Sequence, residues 1–322
     1  MQNEEVLVSV ICTAYNHEKF IRSALDGFVM QKTNFRYEVL IHDDASTDNT
    51  AKIITEYAQK YPDIFVPVLQ TENQYSKGVR VGNTFLMPKA KGKYIAFCEG
   101  DDCWTDENKL QLQVDFLETH PDYVACVHNT LIDNILENRS DGLFVQQTEE
   151  HDVTFEQTIW GMGTAYQTSS LILRRKYCFE LPDFYQLAVS FGFGDWPRAI
   201  YLTLSGKVRF LPGVMSTYRR MSGPNCWSIR NAGVQKEIRV MENSVMMLES
   251  VKKHLTPEQA ELADEVIADK TFTKLLLQED YAALKDPQFD KVWQKMPTKQ
   301  KLKICVKMYL PWLYTLKRKL GK

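Results

Sequence analysis

The first hundred residues alternate short apolar runs with segments of helical periodicity, and this alternation limits the folds open to the chain. The apolar runs lie at residues 6–12, 37–41, 64–69 and 93–98. Apolar residues recur at helical spacing at 20–29, 53–58 and 81–90. This alternation predicts an α/β fold, in which helices flank a mostly parallel, Rossmann-like sheet with right-handed crossovers.

Strand signals continue into a second half and then stop. Strands are expected at 123–128 and 167–173, and Pro197 is expected to open a helix. From about residue 234 the segments are helical and rich in Glu, Lys and Leu. We therefore expect an α/β domain over 1–230 and a helical C-terminal region over 231–322.

Charge and cysteine usage exclude several classes of protein. A net charge of −2 gives the molecule no field suited to wrapping nucleic acid. Seven cysteines, an odd number and never spaced C-x-x-C, are typical of a reducing cytoplasm. Residues 1–5 lack the basic start of a signal peptide, and no apolar stretch reaches the about 18 to 20 residues of a spanning helix. A cytoplasmic protein is expected.

An acidic cluster follows the apolar run at 93–98, where Glu99, Gly100, Asp101 and Asp102 stand together. In an extended segment, residues two apart face the same side, so Glu99 and Asp101 can point at one site while the glycine lets a ligand approach the backbone. Carboxylates suit Mg²⁺ or Mn²⁺, which complete their shells with water and substrate phosphates. The alternative is a solvated acidic turn that caps the next helix.

Three more acids follow predicted strands or precede a predicted helix. Asp43 and Asp44 can accept hydrogen bonds from a nucleobase imino group or from ribose hydroxyls; the alternative is an Asx turn with a helix cap. Asp195 stands just before the helix at Pro197. Proline at the first helical position makes Trp196 the cap and leaves Asp195 free to face a cleft; the alternative is that Asp195 caps the helix.

Four segments together resemble family 2 glycosyltransferases of the GT-A fold, in the bacterial type that decorates surface polysaccharides. They are VSVICTAYN at 8–16, EVLIHDDASTDNT at 38–50, KGKYIAFCEGDDCW at 91–104 and GDW at 194–196. Their order and spacing are far more specific than any one of them. The resemblance implies a nucleotide-binding half at about 1–105 and an acceptor half at about 106–230.

The resemblance also assigns roles in binding the nucleotide. The nucleoside, usually uridine, is bound by residues that match Thr13, Ala14, Tyr15, Asn16, Asp43 and Asp44. The family's Asp-x-Asp signature falls on Glu99, Gly100 and Asp101. This implies that Asp101 ligates Mg²⁺ or Mn²⁺, with Glu99 as the second candidate ligand, and that Glu99 and Asp102 lie beside the ribose and diphosphate.

The acid that matches Asp195 is the family's general base, which deprotonates the acceptor hydroxyl so that the sugar transfers with inversion. The implied reaction moves one sugar from a nucleotide-diphosphate sugar, with UDP expected, to a saccharide or lipid-linked acceptor. Transfer of a single sugar is expected because the processive pattern Q-x-x-R-W is absent. Asp102, Trp104 and Trp196 are candidates for the donor or acceptor pocket.

The chain departs from the family pattern at two positions. Glu99 replaces the first Asp of the signature, which lengthens that side chain by a methylene. Met221 stands where the family often has a histidine, and a thioether is a poor ligand for Mg²⁺ or Mn²⁺. The metal is then expected to depend on the acidic cluster alone, and Arg219 and Arg220 become candidate contacts of the diphosphate.

Two rival functions fit parts of the pattern. One is a module that binds a nucleotide-sugar but has lost catalysis, which Glu99 and Met221 make conceivable. The other is a sugar nucleotidyltransferase. Such enzymes generally need a glycine-rich phosphate loop after the first strand, and residues 13–16 contain no glycine.

The segment 299–322 carries eight basic residues and no acid, with aromatic and aliphatic residues between them. This pattern fits peripheral contact with an anionic membrane, which would place the protein on the inner face of the cell membrane. It fits equally a terminal helix that docks on the protein with its basic face in water.

Overall fold

The computed structural model describes residues 5–161, 165–220 and 233–309. The predictions for Met221 and for residues 310–322 of the basic tail lie outside these ranges. The chain divides into two compact units. The first lies within Met1–Pro182 and Asp195–Ser222, and the second within Asp183–Gly194 and Gly223–Lys322.

Ten strands form one sheet in the described part of the first unit. In chain order they are β1 (Val6–Ala14), β2 (Arg36–Asp43), β3 (Phe65–Leu69), β4 (Tyr94–Phe97), β5 (Cys103–Trp104), β6 (Tyr123–Asn134), β7 (Arg139–Leu143), β8 (His151–Asp152), β9 (Ile172–Arg174) and β10 (Lys207–Arg220). Their spatial order is β3-β2-β1-β4-β9-β6-β10-β5, with β7 paired to β6 and β8 paired to β10.

The strands that carry the predicted motifs run parallel to one another. β1 pairs in parallel with β2 and β4, and β2 pairs in parallel with β3. β9 is antiparallel to both β4 and β6, whereas β6 and β10 are parallel. The predicted mostly parallel sheet is confirmed, and the carboxyl ends of β1, β2 and β4 share one edge. Ligands of open α/β sheets bind at such an edge.

The helices of the described residues flank this sheet or form the second unit. They are α1 (Ile21–Val29), α2 (Thr50–Lys60), α3 (Lys109–Thr119), α4 (Phe155–Ile159), α5 (Asp183–Ser190), α6 (Asp195–Ser205), α7 (Val234–Val251), α8 (Pro257–Leu277), α9 (Asp290–Lys295) and α10 (Thr298–Tyr309). Local sequence explains two helix starts. Thr154 and Gln157 form a capping box at α4, and Thr256 and Gln259 form another at α8.

The core explains why β1 and β2 are apolar on both faces. Helix α1 presents Ile21, Leu25 and Phe28 to one core cluster, and all three are fully buried there with Val8 and Val10 of β1. A second cluster contains Ile11 of β1 together with residues of β4, β6 and α6. Strands covered on both faces are typical of parallel sheets, so the near-continuous apolar runs follow from the architecture.

Three predicted elements differ in detail. Residues 81–90 form a π-helical turn and a 3₁₀ turn rather than a regular helix, because Pro88 has no N–H for the helical ladder. The strand expected at 167–173 begins only at Ile172, since residues Thr168–Ser170 form a 3₁₀ turn. Helix α6 begins at Asp195 and not at Pro197, so Trp196 is not its cap.

The described part of the second unit has its own core, which contains Phe272, Leu284, Phe289 and Ile304. Ile304 belongs to α10, so the described part of the basic segment docks on this unit. Leu302 and Tyr309 of the same helix remain exposed. Over the residues with described structure, every helix is too short or too polar to cross a membrane.

Candidate active site

Backbone hydrogen bonds hold the three predicted polar clusters side by side at the carboxyl ends of β1, β2 and β4. The N–H of Asp44 donates to the carbonyl of Ala14 (3.0 Å), and the N–H of Gly100 donates to the carbonyl of Thr13 (2.9 Å). Asp43 lies opposite Ala14 in the register of β1 and β2. The structure therefore brings the predicted nucleoside-binding residues and the acidic cluster to one place.

The loop after β1 is joined to the loop after β2 through Asn16. This residue adopts a left-handed backbone conformation (φ 57°), which asparagine tolerates better than most residues. Its N–H donates to Ser46 Oγ (2.9 Å), and its Oδ1 accepts from the N–H of Thr47 (2.8 Å). Tyr15 precedes it and stays partly exposed. These contacts fix the rim of the predicted nucleoside site.

Asp43 and Asp44 are both buried and both shape loops. Asp43 accepts from the N–H (3.0 Å) and the hydroxyl (2.5 Å) of Ser46, three residues further on, and so holds the turn after β2. Asp44 accepts from the N–H groups of Gln74 (2.8 Å) and Tyr75 (3.0 Å). The two carboxylates thus hold the loops after β2 and β3 in place. Whether they also bind a nucleoside stays a prediction.

Gly100 is required by packing inside the protein. A Cβ at this position would lie 2.8 Å from Ile21 Cδ1 and 3.0 Å from both Ala14 Cβ and His17 Nδ1. The glycine thus allows the acidic loop to lie against β1 and α1. This differs from the expectation that it serves the approach of a ligand, because the vacant Cβ direction points into the protein.

Crowding of acids gives this site unusual electrostatics. Glu99 is exposed to solvent, yet protein atoms crowd around it. This partial desolvation, together with repulsion from Asp101, Asp195 and Asp102, raises the pKa of Glu99 well above its ordinary range. A cation bound among these carboxylates would relieve the repulsion.

Asp102 points away from the cleft and is 1% exposed. Its Oδ1 accepts from the N–H of Arg219 (2.9 Å) and its Oδ2 from Nε2 of Gln167 (3.1 Å). Burial and the neighbouring Asp101 raise the pKa of Asp102 well above its ordinary range, although Arg219 opposes this. Asp102 is therefore a buried, doubly bonded group and not a wall of the expected pocket.

The two candidate arginines have different surroundings. Arg219 reaches the acidic loop, where its Nη1 donates to the carbonyl of Asp101 (3.0 Å) and its Nη2 to Cys103 Sγ (3.3 Å). Arg220 instead pairs with Asp141 (2.9 Å) and is half exposed. The structure thus brings only Arg219 to the acidic loop.

Asp195 is exposed in the first turn of α6, and its charge contributes to the raised pKa of Glu99. It lines a crevice too narrow to hold a water molecule, together with Tyr166, Thr168, Leu171 and Arg198. The charge of Asp195 thus acts on the acidic cluster from the start of α6. Its role as the base stays a prediction. A carboxylate in the first turn of α6 also stabilises that end of the helix, which agrees in part with the alternative that Asp195 caps it.

The two candidate tryptophans serve structure. Trp104 is 2% exposed, and its indole N–H donates to the carbonyl of Ser169 (2.9 Å). It is a core residue and does not line a pocket, because it packs edge-on against Phe28. Trp196 is partly buried and donates to the carbonyl of Thr158 (2.9 Å), which ties α6 to α4.

The residues present fit a divalent cation whose ligands come partly from the protein and partly from a substrate. Across the described ranges, no three His, Cys, Asp or Glu side chains are grouped to hold a metal ion alone. Mg²⁺ and Mn²⁺ need few protein carboxylates when phosphates complete the shell. Asp101 is partly exposed and Glu99 opens to the cleft, so both can contribute oxygen ligands.

Two residues of the site were not foreseen from the sequence. His17 Nε2 lies 3.9 Å from Asp101 Oδ2, and His17 Nδ1 is buried with no hydrogen-bond partner among the described residues. Its position directly after the T-A-Y-N segment was the available signal. Gln167, which holds Asp102, stands in a segment expected to be a plain strand, so nothing in the pattern pointed to it.

Comparison with known proteins agrees with this geometry. The model of the family described as "Glycosyl transferase family 2" matches residues 9–222. An uncharacterized protein of Mycobacterium tuberculosis is 36% identical over 214 residues, which are 66% of this chain and 58% of the relative. The chain therefore spans less than two thirds of that relative's length.

An Escherichia coli protein named as a UDP-Glc:α-D-GlcNAc-diphosphoundecaprenol β-1,3-glucosyltransferase is 32% identical over 114 residues, which are 35% of this chain and 42% of the relative.

Two solved structures share the fold. Staphylococcus aureus TarS with UDP-GlcNAc has a TM-score of 0.59 at 16% identity and covers 92% of this chain and 78% of that one. A Pyrobaculum calidifontis mannosyltransferase with GDP-Man and Mn²⁺ has a TM-score of 0.52 at 15% identity and covers 96% and 88%. Both show a GT-A architecture for this sheet. By its matching family model, the chain belongs to glycosyl transferase family 2.

Proposed function

We propose that this protein is an inverting, metal-dependent glycosyltransferase that moves one sugar from a UDP-sugar to a hydroxyl group. The acceptor is a saccharide or a lipid-linked oligosaccharide in surface polysaccharide synthesis. The observation that carries the proposal is that Glu99 and Asp101, which follow parallel strand β4, lie near enough to Asp195 of α6 for the charges of both aspartates to raise the pKa of Glu99. Membership of the family and the named glucosyltransferase relative support it.

In this proposal the loops after β1 and β2 hold the nucleoside, and Glu99 and Asp101 hold Mg²⁺ or Mn²⁺. When bound, the cation offsets the charge that develops on the departing diphosphate. Arg219 of β10 contacts the acidic loop, and its guanidinium group is proposed to stabilise the negative charge of the diphosphate. The helical region 231–322 is proposed to be an appendage to the catalytic domain at 1–230.

Asp195 acts as the general base of the transfer. Its carboxylate is exposed, so an acceptor hydroxyl can reach it, and it lies in the field of Glu99 on the donor side. Removal of the hydroxyl proton lets the oxygen attack the anomeric carbon on the face opposite the diphosphate, and the configuration inverts. A positioned base contributes typically about 10²- to 10⁴-fold to such a rate.

A donor screen tests the proposal. UDP-, GDP- and dTDP-sugars are added with MnCl₂, with MgCl₂ or with EDTA, and the melting temperature is measured, since a ligand of the native state stabilises it. We expect a UDP-sugar to raise the melting temperature only with a divalent cation. Equal shifts in EDTA would overturn the metal dependence, and the absence of any shift would overturn the donor assignment.

Adding nucleoside triphosphates, acceptors and product analysis to this screen separates the two rival functions. A nucleotidyltransferase would be stabilised by a nucleoside triphosphate with a sugar phosphate and would release pyrophosphate. An inactive binding module would bind the UDP-sugar without releasing UDP when saccharide or lipid-linked acceptors are supplied. Release of UDP with an inverted anomeric configuration in the product, measured by NMR, is the outcome we expect.

The protein is further proposed to act in the cytoplasm, in peripheral contact with the inner face of the cell membrane. Exposed Leu302 and Tyr309 on α10, next to Lys301 and Lys303, support this contact. Co-sedimentation with phosphatidylglycerol vesicles measures it. Binding is expected to weaken at high salt and in Leu302→Ser, and a protein that stays in the supernatant would contradict it.

A further inference from the structure

Asp102 fastens the acidic loop to the rest of the sheet. Both of its oxygens are bonded, one to the N–H of Arg219 on β10 and the other to the side-chain amide of Gln167. The loop is also closed on itself, because the N–H of Asp102 donates to the carbonyl of Glu99 (3.1 Å). The carboxylate of Asp102 is thus occupied by protein, while those of Glu99 and Asp101 face the cleft.

The orientation of Gln167 is fixed by its other partners. Its Oε1 accepts from both the N–H and the hydroxyl of Ser169, each at 2.5 Å. A backbone N–H can only donate, so the carbonyl oxygen of the amide must face Ser169 and the NH₂ group must face Asp102. Gln167 is 7% exposed and so has little access to water as an alternative partner.

The partners of Gln167 are themselves held by the core. Ser169 Oγ lies 3.0 Å from Ser216 Oγ of β10, which lies 2.9 Å from Thr130 Oγ1 of β6. The carbonyl of Ser169 accepts from the indole N–H of buried Trp104 (2.9 Å). All four of these residues are at most 2% exposed. A buried, fully bonded network of this kind is rigid.

We infer that Gln167 is a positioning residue, which through Asp102 holds the loop of Glu99 and Asp101 in the geometry that binds nucleotide and cation. The inference rests on the proposed function of that loop. Gln167 itself touches no substrate. Asp102 is not itself a proposed ligand, so Gln167 acts on the ligand Asp101 through its chain neighbour. Outer groups that support a metal site typically change metal affinity by about 10- to 100-fold when they are removed.

The pair can be exchanged without loss of its hydrogen bond. Gln167→Glu alone sets two carboxylates against each other, and Asp102→Asn alone offers a second NH₂ group to that of Gln167. In the double variant, the amide of residue 102 donates to the carboxylate of residue 167 and still accepts from the N–H of Arg219. The carboxylate at 167 also keeps its bonds from Ser169, and the pair still consists of one carboxyl group and one amide group.

The test measures UDP affinity in MnCl₂ by isothermal titration calorimetry, with the melting temperature of each variant beside it. Gln167→Leu, Gln167→Glu and Asp102→Asn are each expected to weaken UDP binding by at least about tenfold. The double variant Gln167→Glu with Asp102→Asn is expected to recover most of that loss. Positioning predicts this rescue, whereas a direct role of the Asp102 charge does not.

Gln31→Leu is the matched control. Gln31 is also 7% exposed, and its side-chain amide donates to the carbonyls of Gly27 (3.1 Å) and Asp106 (2.8 Å), away from the acidic loop. This variant is expected to lower the melting temperature while it keeps the UDP affinity.

Two results would overturn the inference. One is a folded Gln167→Leu protein that binds UDP as tightly as the unchanged protein does. The other is a double variant whose UDP affinity is no higher than that of the single variant that binds UDP more weakly. If the unchanged protein binds no UDP, the proposed function fails instead.

Discussion

Glu99 and Asp195 come from opposite halves of the first unit, and the charge of Asp195 acts on the carboxyl group of Glu99. Glu99 follows β4, and Asp195 begins α6 nearly a hundred positions later, yet the charge of Asp195 contributes to the raised pKa of Glu99. Two carboxylates held near each other cost free energy unless a cation or a substrate compensates them. The site therefore favours a positively charged ligand between these two carboxylates.

Asp195→Asn is predicted to remove sugar transfer while leaving UDP binding in place. The amide keeps the shape of the side chain but cannot accept the acceptor's proton, so kcat should fall by about 10²- to 10⁴-fold. Because Asp195 is not a proposed ligand of the metal or the nucleotide, UDP affinity in MnCl₂ should change little. Turnover by UDP release and affinity by calorimetry measure the two effects.

Glu156→Gln is the control for that substitution. Glu156 is an exposed acid in the first turn of α4, so its replacement changes the charge at a helix start without touching the cleft. Its turnover should match that of the unchanged protein. If Asp195→Asn turned over equally well, Asp195 would not be the base.

Asp101→Asn is predicted to remove the metal dependence of nucleotide binding. Asp101 is the partly exposed acid of the loop, and an amide is a weaker ligand for Mn²⁺ than a carboxylate. UDP affinity in MnCl₂ should fall by at least about tenfold, towards the value in EDTA. Asp115→Asn, which changes an exposed acid of α3, should leave it unchanged. An Mn²⁺ response that survives in Asp101→Asn would place the metal elsewhere.

The alternation of apolar runs was enough to predict the parallel part of the sheet. The runs that became β1, β2 and β4 are buried on both faces, so each is apolar over most of its length, and polar residues gather at the end of each. The sequence therefore indicated that Thr13, Asp43 and Glu99 meet at one edge. The antiparallel insertion of β9 could not be predicted, because β9 has only three residues and its pairing is set by tertiary contacts.

The division of labour among the acids could not be predicted from spacing. Asp101 and Asp102 are adjacent and chemically alike, yet the first faces the cleft and the second is buried against Arg219 and Gln167. That difference depends on partners more than sixty residues away in the chain. The burial of Trp104, which was expected in a pocket, could not be predicted for the same reason. It follows from the packing of α1 against β5, two elements far apart in the chain.

Gly100→Ala is predicted to destabilise the protein and weaken UDP binding. The new Cβ would approach Ile21 Cδ1 to 2.8 Å, so the loop or the helix must move, and such overpacking costs typically about 1 to 3 kcal/mol. Adding Ile21→Val removes the Cδ1 atom and should recover part of the loss. Urea unfolding measures the stability of both variants, and calorimetry measures their UDP affinity. Equal stability of Gly100→Ala and the unchanged protein would show that the loop is not packed tightly against α1.

Lys109 is a buried lysine behind the acidic loop, and its titration should be visible in the stability of the protein. Its Nζ donates to Gln113 Oε1 (2.7 Å) and lies 4.1 Å from the centre of the Trp104 ring. Burial lowers the pKa of Lys109 to about 7, although the nearby thiols of Cys98 and Cys126 oppose this. An unfolded lysine titrates near about 10.4.

Between these two pKa values the unfolded chain binds one more proton than the folded protein, so raising the pH favours the folded state. The unchanged protein should therefore gain stability over Lys109→Met from pH 7 to pH 10, by as much as about 1.4 kcal/mol per pH unit. Other titrating groups cancel in this difference. Lys52→Met, which changes an exposed lysine of α2, should show a constant difference. A constant difference for Lys109→Met as well would mean that Lys109 keeps its charge in the folded protein.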